Sequence, residues 1–245
     1  MTDLSTPIQF GELKLKNRVV MAPLTRSRAT KDRVPTEMMA DYYAQRASAG
    51  LIIAEATVIS EEANGYENTP GLFTDAQVEG WKKITAAVHA KDGLIVSQLW
   101  HVGRVSHPDL LGGETPVSSS RVQQAGQVSL LRPKRDYVLP RALEISEIHA
   151  ITEQFRQAAI RAKDAGFDGV ELHAANGYLI DQFLQTKTNL RDDIYGGLVE
   201  NRARFLLEVV DALIEVWGTG RVGVHLAPRG DEHDMGDNDP RETFG

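Results

Sequence analysis

The sequence of 245 residues contains no cysteine, which excludes disulfide bonds, a catalytic thiolate and metal sites with cysteine ligands. It also lacks an excess of positive charge: 27 Lys and Arg face 34 Asp and Glu, and the net charge of -7 argues against nucleic-acid binding. No apolar run reaches the roughly 18 residues that a membrane-spanning helix needs, and the N-terminal region lacks the apolar core of a signal peptide. We therefore expect a cytoplasmic protein that binds neither nucleic acid nor a membrane.

Several common ligand motifs are missing as well. No G-x-G-x-x-G pattern follows an apolar run and no G-x-x-x-x-G-K-[S/T] pattern occurs, so two frequent nucleotide-binding motifs are absent. His101 and His107 do not have the spacing of a zinc-protease helix, and the acidic residues of segment 231–239 do not match a calcium-binding loop. We expect no metal site, and we expect segment 231–239 to be a solvated loop.

The apolar pattern that is present predicts an α/β protein. Five short runs rich in Val, Ile and Leu predict buried parallel strands at residues 19–24, 51–59, 94–100, 167–174 and 222–227. Helical spacing of apolar residues predicts helices at 36–49, 75–91, 146–165 and 199–217. Strands and helices that alternate in this way form right-handed βαβ units, and the repeated glycine between helix and strand favours a (β/α)8 TIM barrel, as a single domain of residues 1–245.

Five predicted strands are fewer than the eight that close such a barrel. We therefore expect this chain to hold about the first five βα units of an incomplete barrel. Three explanations stay open: a fragment, a barrel half that a complementary chain completes, or a sequence that diverges after a change of reading frame. Segment 103–140 has no helical pattern and is too long for a simple connection, so we expect it to overhang the active-site end of the barrel.

Three polar residues follow the fourth predicted strand, where a helix begins: His173, Asn176 and Tyr178. In a (β/α)8 barrel, the carboxyl ends of the strands carry the active site. Two polar groups can hold a carbonyl oxygen there while a third delivers a proton. A single histidine is more often a hydrogen-bonded core residue, but the grouping of these three residues favours a catalytic site.

Polar and aromatic residues also end other predicted strands. Thr25, Gln98, Trp100 and His225 suit a planar polar cofactor better than hydrolysis, since no nucleophile stands out. Structural roles stay open, because Thr25 and Gln98 serve equally well as helix caps or as partners of loop backbone. Trp100, like Tyr66, is more simply interpreted as a packing residue.

The chain is similar to a known family over most of its length. The matching segments are NRVVMAPLTRSRA, YYAQRASAGLIIAEAT, GLIVSQLWHVGRVSH, ELHAANGYLIDQFLQ and NLRDDIYGGLVENRARF. From about residue 7 onward the chain resembles the Old Yellow Enzyme family of flavin-dependent ene-reductases, in its bacterial branch of N-ethylmaleimide and nitroester reductases. Thr25 supports this branch, because another branch of the family has cysteine there.

The resemblance implies non-covalently bound FMN, with NADPH or NADH as reductant. The expected reaction reduces the C=C bond of an electron-poor alkene such as an α,β-unsaturated carbonyl compound, with nitro compounds and nitroesters as a further class. By resemblance, the residues that contact the flavin are Pro23, Leu24, Thr25, Ala56, Gln98 and His225. Those that bind the substrate are His173, Asn176, Tyr66 and Trp100. Hydride passes to the β-carbon, and Tyr178 protonates the α-carbon.

One residue departs from the family pattern. The family usually has arginine in the fifth strand, beside the flavin, where this chain has His225 in the segment VGVHLAP. Arginine stays charged at any working pH, whereas histidine ordinarily titrates near pH 6.5. We therefore expect reduced flavin to be stabilised less above neutral pH here than in a His225→Arg variant. The loops that hold the flavin phosphate follow the last two barrel strands, which were not found in this sequence.

Two other functions stay open from the residues alone. A barrel lyase or isomerase can use Tyr178 and His173 for proton transfer without a flavin. A non-catalytic barrel fragment would instead bind a complementary chain that supplies the remaining strands.

Overall fold

The computed structural model describes residues 3–245. Its strands are β1 (Ile8–Phe10), β2 (Leu13–Leu15), β3 (Val20–Met21), β4 (Leu51–Ile53), β5 (Thr57–Val58), β6 (Ile95–Trp100), β7 (Val117–Ser118), β8 (Arg141–Ala142), β9 (Val170–Ala174) and β10 (Val222–Leu226). Its α-helices are α1 (Glu37–Ala44), α2 (Asp75–His89), α3 (Ile145–Asp164), α4 (Leu179–Leu184), α5 (Val199–Trp217) and α6 (Pro240–Phe244). Short 3-10 helices occupy Pro108–Leu110, Thr219–Arg221 and Glu232–Asp234.

The main sheet consists of parallel strands that lie side by side in chain order, as predicted: β3, β4, β6, β9 and β10. Every residue of the central strand β6 is buried, as expected for a parallel strand with both faces covered. Among residues 3–245, β3 pairs only with β4 and β10 only with β9, so this sheet has two open edges.

All five predicted strands are shorter than the apolar pattern indicated, and two of them differ in ways that have a clear physical cause. The prediction of one strand over 51–59 was wrong in its middle, because the Glu55 backbone N–H donates to the Tyr43 hydroxyl at 2.8 Å. The backbone leaves the ladder there, and β4 and β5 form on either side of the break, with β5 pairing to the end of β6. In segment 19–24 only β3 forms, and Pro23, which has no N–H to donate, lies beyond it.

The predicted helices form on the outside of the sheet. Helix α5 has the predicted bounds, whereas the helix predicted at 36–49 ends at Ala44. Helices α3 and α5 pack together, and the Trp217 indole N–H at the end of α5 donates to the Ala159 carbonyl of α3 at 3.1 Å. Within the described residues, no helix is both long and apolar enough to cross a membrane.

The two ends of the sheet differ in what covers them. At the amino ends of the strands, Leu13 and Leu15 of the β1–β2 hairpin pack in a small apolar cluster with Leu51 and Val96. At the carboxyl ends lies the long segment 103–140, which contributes β7. The Ser118 hydroxyl of this strand donates to the side chain of Gln182 in α4 at 2.9 Å. The hairpin thus packs at the amino ends of the strands, whereas the predicted site residues lie at the carboxyl ends.

Candidate active site

A tight turn after β9 places Asn176 and Tyr178 at the carboxyl end of the sheet. Asn176 (φ 58°) and Gly177 (φ 78°) both have left-handed backbone conformations, which glycine and asparagine adopt most readily. A side chain on Gly177 would come within 2.8 Å of the His233 side chain, so only glycine fits without rearrangement. The Gly177 N–H donates to the Asp181 carboxylate at 2.8 Å, which fixes the turn to the start of α4.

Four predicted site residues meet in one aromatic cluster beside this turn: Tyr66, Trp100, His173 and Tyr178. The Trp100 ring stacks on Tyr66 with centroids 5.3 Å apart and meets the edge of the Tyr178 ring at 4.9 Å. The His173 and Tyr178 rings also lie 4.9 Å apart, edge to face. The Tyr66 and Tyr178 hydroxyls are 3.1 Å apart, within hydrogen-bonding distance. The structure therefore brings together side chains that come from three separate parts of the chain.

Two buried ring nitrogens of this cluster, His173 Nδ1 and Trp100 Nε1, have no hydrogen-bond partner within residues 3–245. Buried polar atoms in folded proteins are almost always paired, so these two atoms mark a place where a polar ligand would fit. Burial, with smaller contributions from His225 and His233, lowers the pKa of His173 to about 3. The His173 imidazole is therefore neutral at ordinary working pH.

The Tyr178 hydroxyl stays protonated at neutral pH. Burial raises the pKa of Tyr178 to about 12, an effect that the hydrogen bond with Tyr66 partly opposes. Burial also raises the pKa of Tyr66. Both phenols are thus protonated at neutral pH, and a protonated phenol at the edge of a site can act as a general acid.

Asn176 has a backbone contact within the site in addition to its polar side chain. Its side chain is half-buried and makes no hydrogen bond among the described residues, whereas its backbone carbonyl accepts one from Nδ1 of His233 at 2.6 Å. The Asn176 amide is therefore free to bind a ligand.

Gln98 and His225 lie together on the sheet, one strand to each side of β9. The Gln98 amide donates to the Glu171 carboxylate at 2.6 Å and lies 3.5 Å from Nδ1 of His225. His225 is paired with His173 across β10 and β9, and their rings stack 5.1 Å apart. Burial raises the pKa of Glu171, although the Gln98 hydrogen bond opposes this. We had not predicted Glu171, but it stands two residues before His173, and strand alternation puts both side chains on one face.

Pro23, Leu24 and Thr25, three of the residues that we expect to contact FMN, follow β3 directly. Within the described residues, no hydrogen bond or ring contact joins Pro23, Leu24 or Thr25 to His173. Pro23 is half-buried, Thr25 is exposed and the Leu24 side chain is 55% exposed. A hydrogen bond fixes the backbone next to Thr25: the Arg26 N–H donates to the Glu55 carboxylate at 3.0 Å.

Ala56 follows Glu55 in the break between β4 and β5 and is buried. Glu55 accepts a hydrogen bond from the residue after Thr25 and is followed directly by Ala56. It therefore links the two segments that we expect to contact FMN. Glu55 itself was missed from the sequence, where it looked like part of an uninterrupted strand.

The expectation that segment 231–239 is a solvated loop was wrong. His233 and Met235 pack against the turn after β9, and Met235 is buried. The segment is held by Arg104, whose guanidinium donates to the carbonyls of His233 at 2.9 Å and Asp234 at 3.2 Å. Its many acidic residues indicated a solvated loop because no local pattern reveals contacts with a buried arginine far away in the sequence.

A sequence model of the family described as NADH:flavin oxidoreductase / NADH oxidase matches residues 3–242. The chain belongs to this family. The expected resemblance is thereby confirmed.

Curated relatives of the flavin oxidoreductase family match almost the whole chain. Flavin oxidoreductase hxnT of Emericella nidulans is 46% identical over 99% of this chain and 63% of its own length. Chanoclavine-I aldehyde reductase fgaOx3 of Penicillium roqueforti is 50% identical over 100% of this chain and 65% of its own length. The chain thus spans slightly less than two thirds of the length of these two relatives.

Solved structures confirm the predicted fold class. The Old Yellow Enzyme homologue from Zymomonas mobilis superposes with a TM-score of 0.96 at 50% identity, over 99% of this chain and 68% of that one. Morphinone reductase in complex with tetrahydroNAD gives a TM-score of 0.93 at 55% identity, over 97% of this chain and 67% of that one. The open parallel sheet is accordingly part of a (β/α)8 barrel.

By residue type, three of the side chains that we expect to contact FMN suit that cofactor. The Thr25 hydroxyl, the Gln98 amide and the His225 imidazole offer both donors and acceptors, as the mixed polar edge of a flavin requires. The unpaired nitrogens of His173 and Trp100 show that polar atoms at this end of the sheet lack partners within the described chain.

Proposed function

We propose that the protein is an FMN-dependent oxidoreductase that uses NADH or NADPH to reduce the C=C bond of electron-poor alkenes. α,β-Unsaturated carbonyl compounds are the expected substrate class, with nitro compounds and nitroesters as a further one. One observation carries the proposal: a neutral His173 with an unpaired ring nitrogen lies against the ring of a protonated Tyr178. Family membership and the 12-oxophytodienoate reductases of rice, 48% identical to this chain, support it.

In this proposal His173 and the Asn176 amide bind the carbonyl or nitro oxygen of the substrate. Negative charge grows on that oxygen as the alkene is reduced, and donors placed beforehand stabilise it without reorganising. Because His173 is neutral, it contributes a dipole rather than a charge. Tyr66 and Trp100 line the pocket beside the alkene, and the ring of Trp100 limits how far the substrate can turn.

Tyr178 then delivers its proton to the α-carbon. When bound, FMN supplies the hydride that the β-carbon receives. The residues that would hold FMN are Pro23, Leu24, Thr25, Ala56, Gln98 and His225. Their part is to position the cofactor at the barrel mouth.

The proposal is tested with purified protein and one matched pair of variants. Bound flavin gives an absorbance band at about 450 nm, which reductant bleaches and an activated alkene restores. We expect Tyr178→Phe to keep the flavin but to slow product formation roughly a hundredfold or more, the usual contribution of a positioned acid. Tyr195→Phe is the control, because Tyr195 is also a buried phenol but bonds Glu208, away from the cluster.

Two results would overturn the proposal: protein that takes up no flavin, or a Tyr178→Phe variant as fast as Tyr195→Phe. A colourless protein that still moves protons on a carbonyl substrate would instead support a flavin-independent lyase or isomerase.

A second candidate function, binding of a complementary chain, is favoured by the open edges of the sheet. Val20 of the edge strand β3 is 46% exposed and Val224 of the opposite edge strand β10 is 39% exposed. Apolar strand edges of this kind tend to pair with other chains. Size-exclusion chromatography with and without FMN tests this: a chain that needs a partner should aggregate alone and retain little flavin, whereas a monodisperse, flavin-loaded protein contradicts it.

A further inference from the structure

His233, in segment 231–239, lies next to Tyr66 and Tyr178, and its ring centroid is 5.2 Å from that of Tyr178. Its Nδ1 is 2.6 Å from the Asn176 carbonyl oxygen, and since a carbonyl can only accept, Nδ1 carries a proton. Its Nε2 is 3.4 Å from the Tyr66 hydroxyl, which is 3.1 Å from the Tyr178 hydroxyl. One continuous path of polar atoms therefore leads from His233 through Tyr66 to Tyr178.

The position of His233 is set by buried contacts. His233 (φ 57°) and Asp234 (φ 62°) both have left-handed backbone, and the guanidinium of Arg104, which is 1% exposed, donates to the carbonyl of each. The Nδ1 bond to the turn after β9 then orients the ring. A left-handed backbone at two adjacent residues other than glycine persists only where the surroundings enforce it.

The charge on His233 decides which way the two tyrosine protons point. Neutral His233 has a bare Nε2, so Tyr66 donates to it and can only accept from Tyr178, which turns the Tyr178 proton away from the substrate. Protonated His233 donates from Nε2 to Tyr66, Tyr66 donates to Tyr178, and the Tyr178 proton is free for the substrate. The path thus has two polarities, and only the second suits proton delivery.

We propose that His233 is the proton source behind Tyr178, with the Tyr66 hydroxyl as the relay; this rests on the proposed function. In the step, the Tyr178 O–H bond breaks as the α-carbon gains a C–H bond. The Tyr66 proton moves to the Tyr178 oxygen, and the His233 Nε2 proton moves to the Tyr66 oxygen. No net charge is left on either tyrosine, and the imidazolium becomes imidazole. His233 is half-buried, so it can take up the next proton from solvent.

The surroundings of His233 determine the pH range in which the relay is charged. The groups that face it are Tyr66, Tyr178, Arg104 and His173 from neighbouring elements and Glu232 and Asp234 from its own segment. Burial lowers the pKa of His233 below its ordinary value, opposed by the Asn176 carbonyl and by Glu232. Proton delivery should therefore speed up as the pH falls through and below the ordinary histidine range, although Tyr178 itself does not titrate there.

The first arm of the test measures the imidazole directly and needs no turnover. In ¹⁵N NMR titrations of the purified protein, we expect the neutral form of His233 to be protonated at Nδ1 and bare at Nε2. Tyr66→Phe should shift the Nε2 resonance and the His233 titration midpoint, because it removes the hydroxyl from Nε2. A neutral form protonated at Nε2, or a titration that Tyr66→Phe leaves unchanged, overturns the relay.

The second arm follows single-turnover product formation across about pH 5 to 8, bracketing the ordinary histidine range. His233→Asn tolerates the left-handed backbone and can still donate to Asn176, but it carries no exchangeable ring proton. We expect His233→Asn and Tyr66→Phe each to remove the rise in rate at low pH and to slow protonation by about tenfold to a hundredfold, less than loss of the acid itself.

The double variant should be no slower than either single variant, because one break already interrupts the path. Effects that multiply, or a His233→Asn variant with the pH profile of the unsubstituted protein, overturn the proposal. If no alkene is reduced at all, the proposed function fails, and the relay has no substrate carbon to protonate. The NMR arm then still decides whether His233 and Tyr66 are linked.

Discussion

Glu55 ties the loop that contains Thr25 to the interior of the protein through the backbone of Arg26. One carboxylate oxygen of Glu55 accepts the Arg26 N–H at 3.0 Å, and the other accepts the Tyr43 hydroxyl, also at 3.0 Å. Glu55 is completely buried. Since Ala56 follows it directly, one side chain sets the relative position of two segments that we expect to contact FMN.

We expect Glu55→Gln to weaken FMN binding. A glutamine has one acceptor oxygen where the carboxylate has two, so either the Arg26 N–H or the Tyr43 O–H loses its acceptor. One lost hydrogen bond costs roughly 1 to 1.5 kcal/mol, which corresponds to about tenfold in affinity. Quenching of FMN fluorescence measures the affinity, and Glu153→Gln, an exposed change on α3, is the control. If Glu55→Gln binds FMN as tightly as the control, this hydrogen-bonded link is not needed.

His225→Arg should raise the reduction potential of bound flavin at pH 8. Arginine adds a permanent positive charge next to Gln98 and Glu171, where reduced, anionic flavin would be stabilised. We expect an increase of at least about 30 mV, or roughly 1.4 kcal/mol for a two-electron couple. Titration against redox dyes measures it. His89→Arg adds the same charge at the far end of α2, and equal potentials in the two variants would show that position does not matter.

The fold was predictable wherever local apolar periodicity decides the structure. Helix α5 has its predicted bounds because its apolar stripe continues up to Gly218, whose positive φ of 77° ends the helix. The break between β4 and β5 was not predictable, because it depends on the Tyr43 hydroxyl of a preceding helix reaching the Glu55 backbone. An apolar run shows where a strand can form, but a tertiary contact decides where it is interrupted.

The candidate site also contains residues that the sequence predicts and one that only a tertiary contact places there. His173, Asn176 and Tyr178 are neighbours in sequence at one strand end, so their convergence followed from the sequence. His233 did not, because its place at the site depends on Arg104, 129 residues earlier in the chain. Its acidic neighbours indicate solvent exposure, and only the folded chain shows that a buried guanidinium holds its backbone.

Because His173 is buried in its neutral form, we expect it to make the protein less stable in acid. Its pKa is about 3 in the folded state and near 6.5 when unfolded. The unfolded state therefore binds the proton first, and stability is lost as the pH falls below about 6.5. His173→Asn should lose less stability than the unsubstituted protein between about pH 6.5 and 4 in urea unfolding. His89→Asn, an exposed change, is the control, and parallel pH profiles for all three proteins would contradict the prediction.

Asp181 should change the pH dependence of stability in the opposite direction to His173. Burial of its side chain, which is 1% exposed, raises its pKa from 3.8 to about 6, although the Gly177 N–H and Gln185 oppose the rise. The folded state therefore holds this proton more tightly than the unfolded state, and stability is lost as the pH rises from about 4 through 6. Asn at position 181 does not titrate. Between about pH 4 and 6 the free energy of unfolding of Asp181→Asn should therefore rise by up to about 3 kcal/mol relative to that of the unsubstituted protein, at 1.36 kcal/mol per pKa unit. Urea unfolding at several pH values measures the difference, with the exposed Asp211→Asn as control. If Asp181→Asn and Asp211→Asn change equally with pH, the Asp181 carboxyl is ionised as easily in the folded as in the unfolded protein.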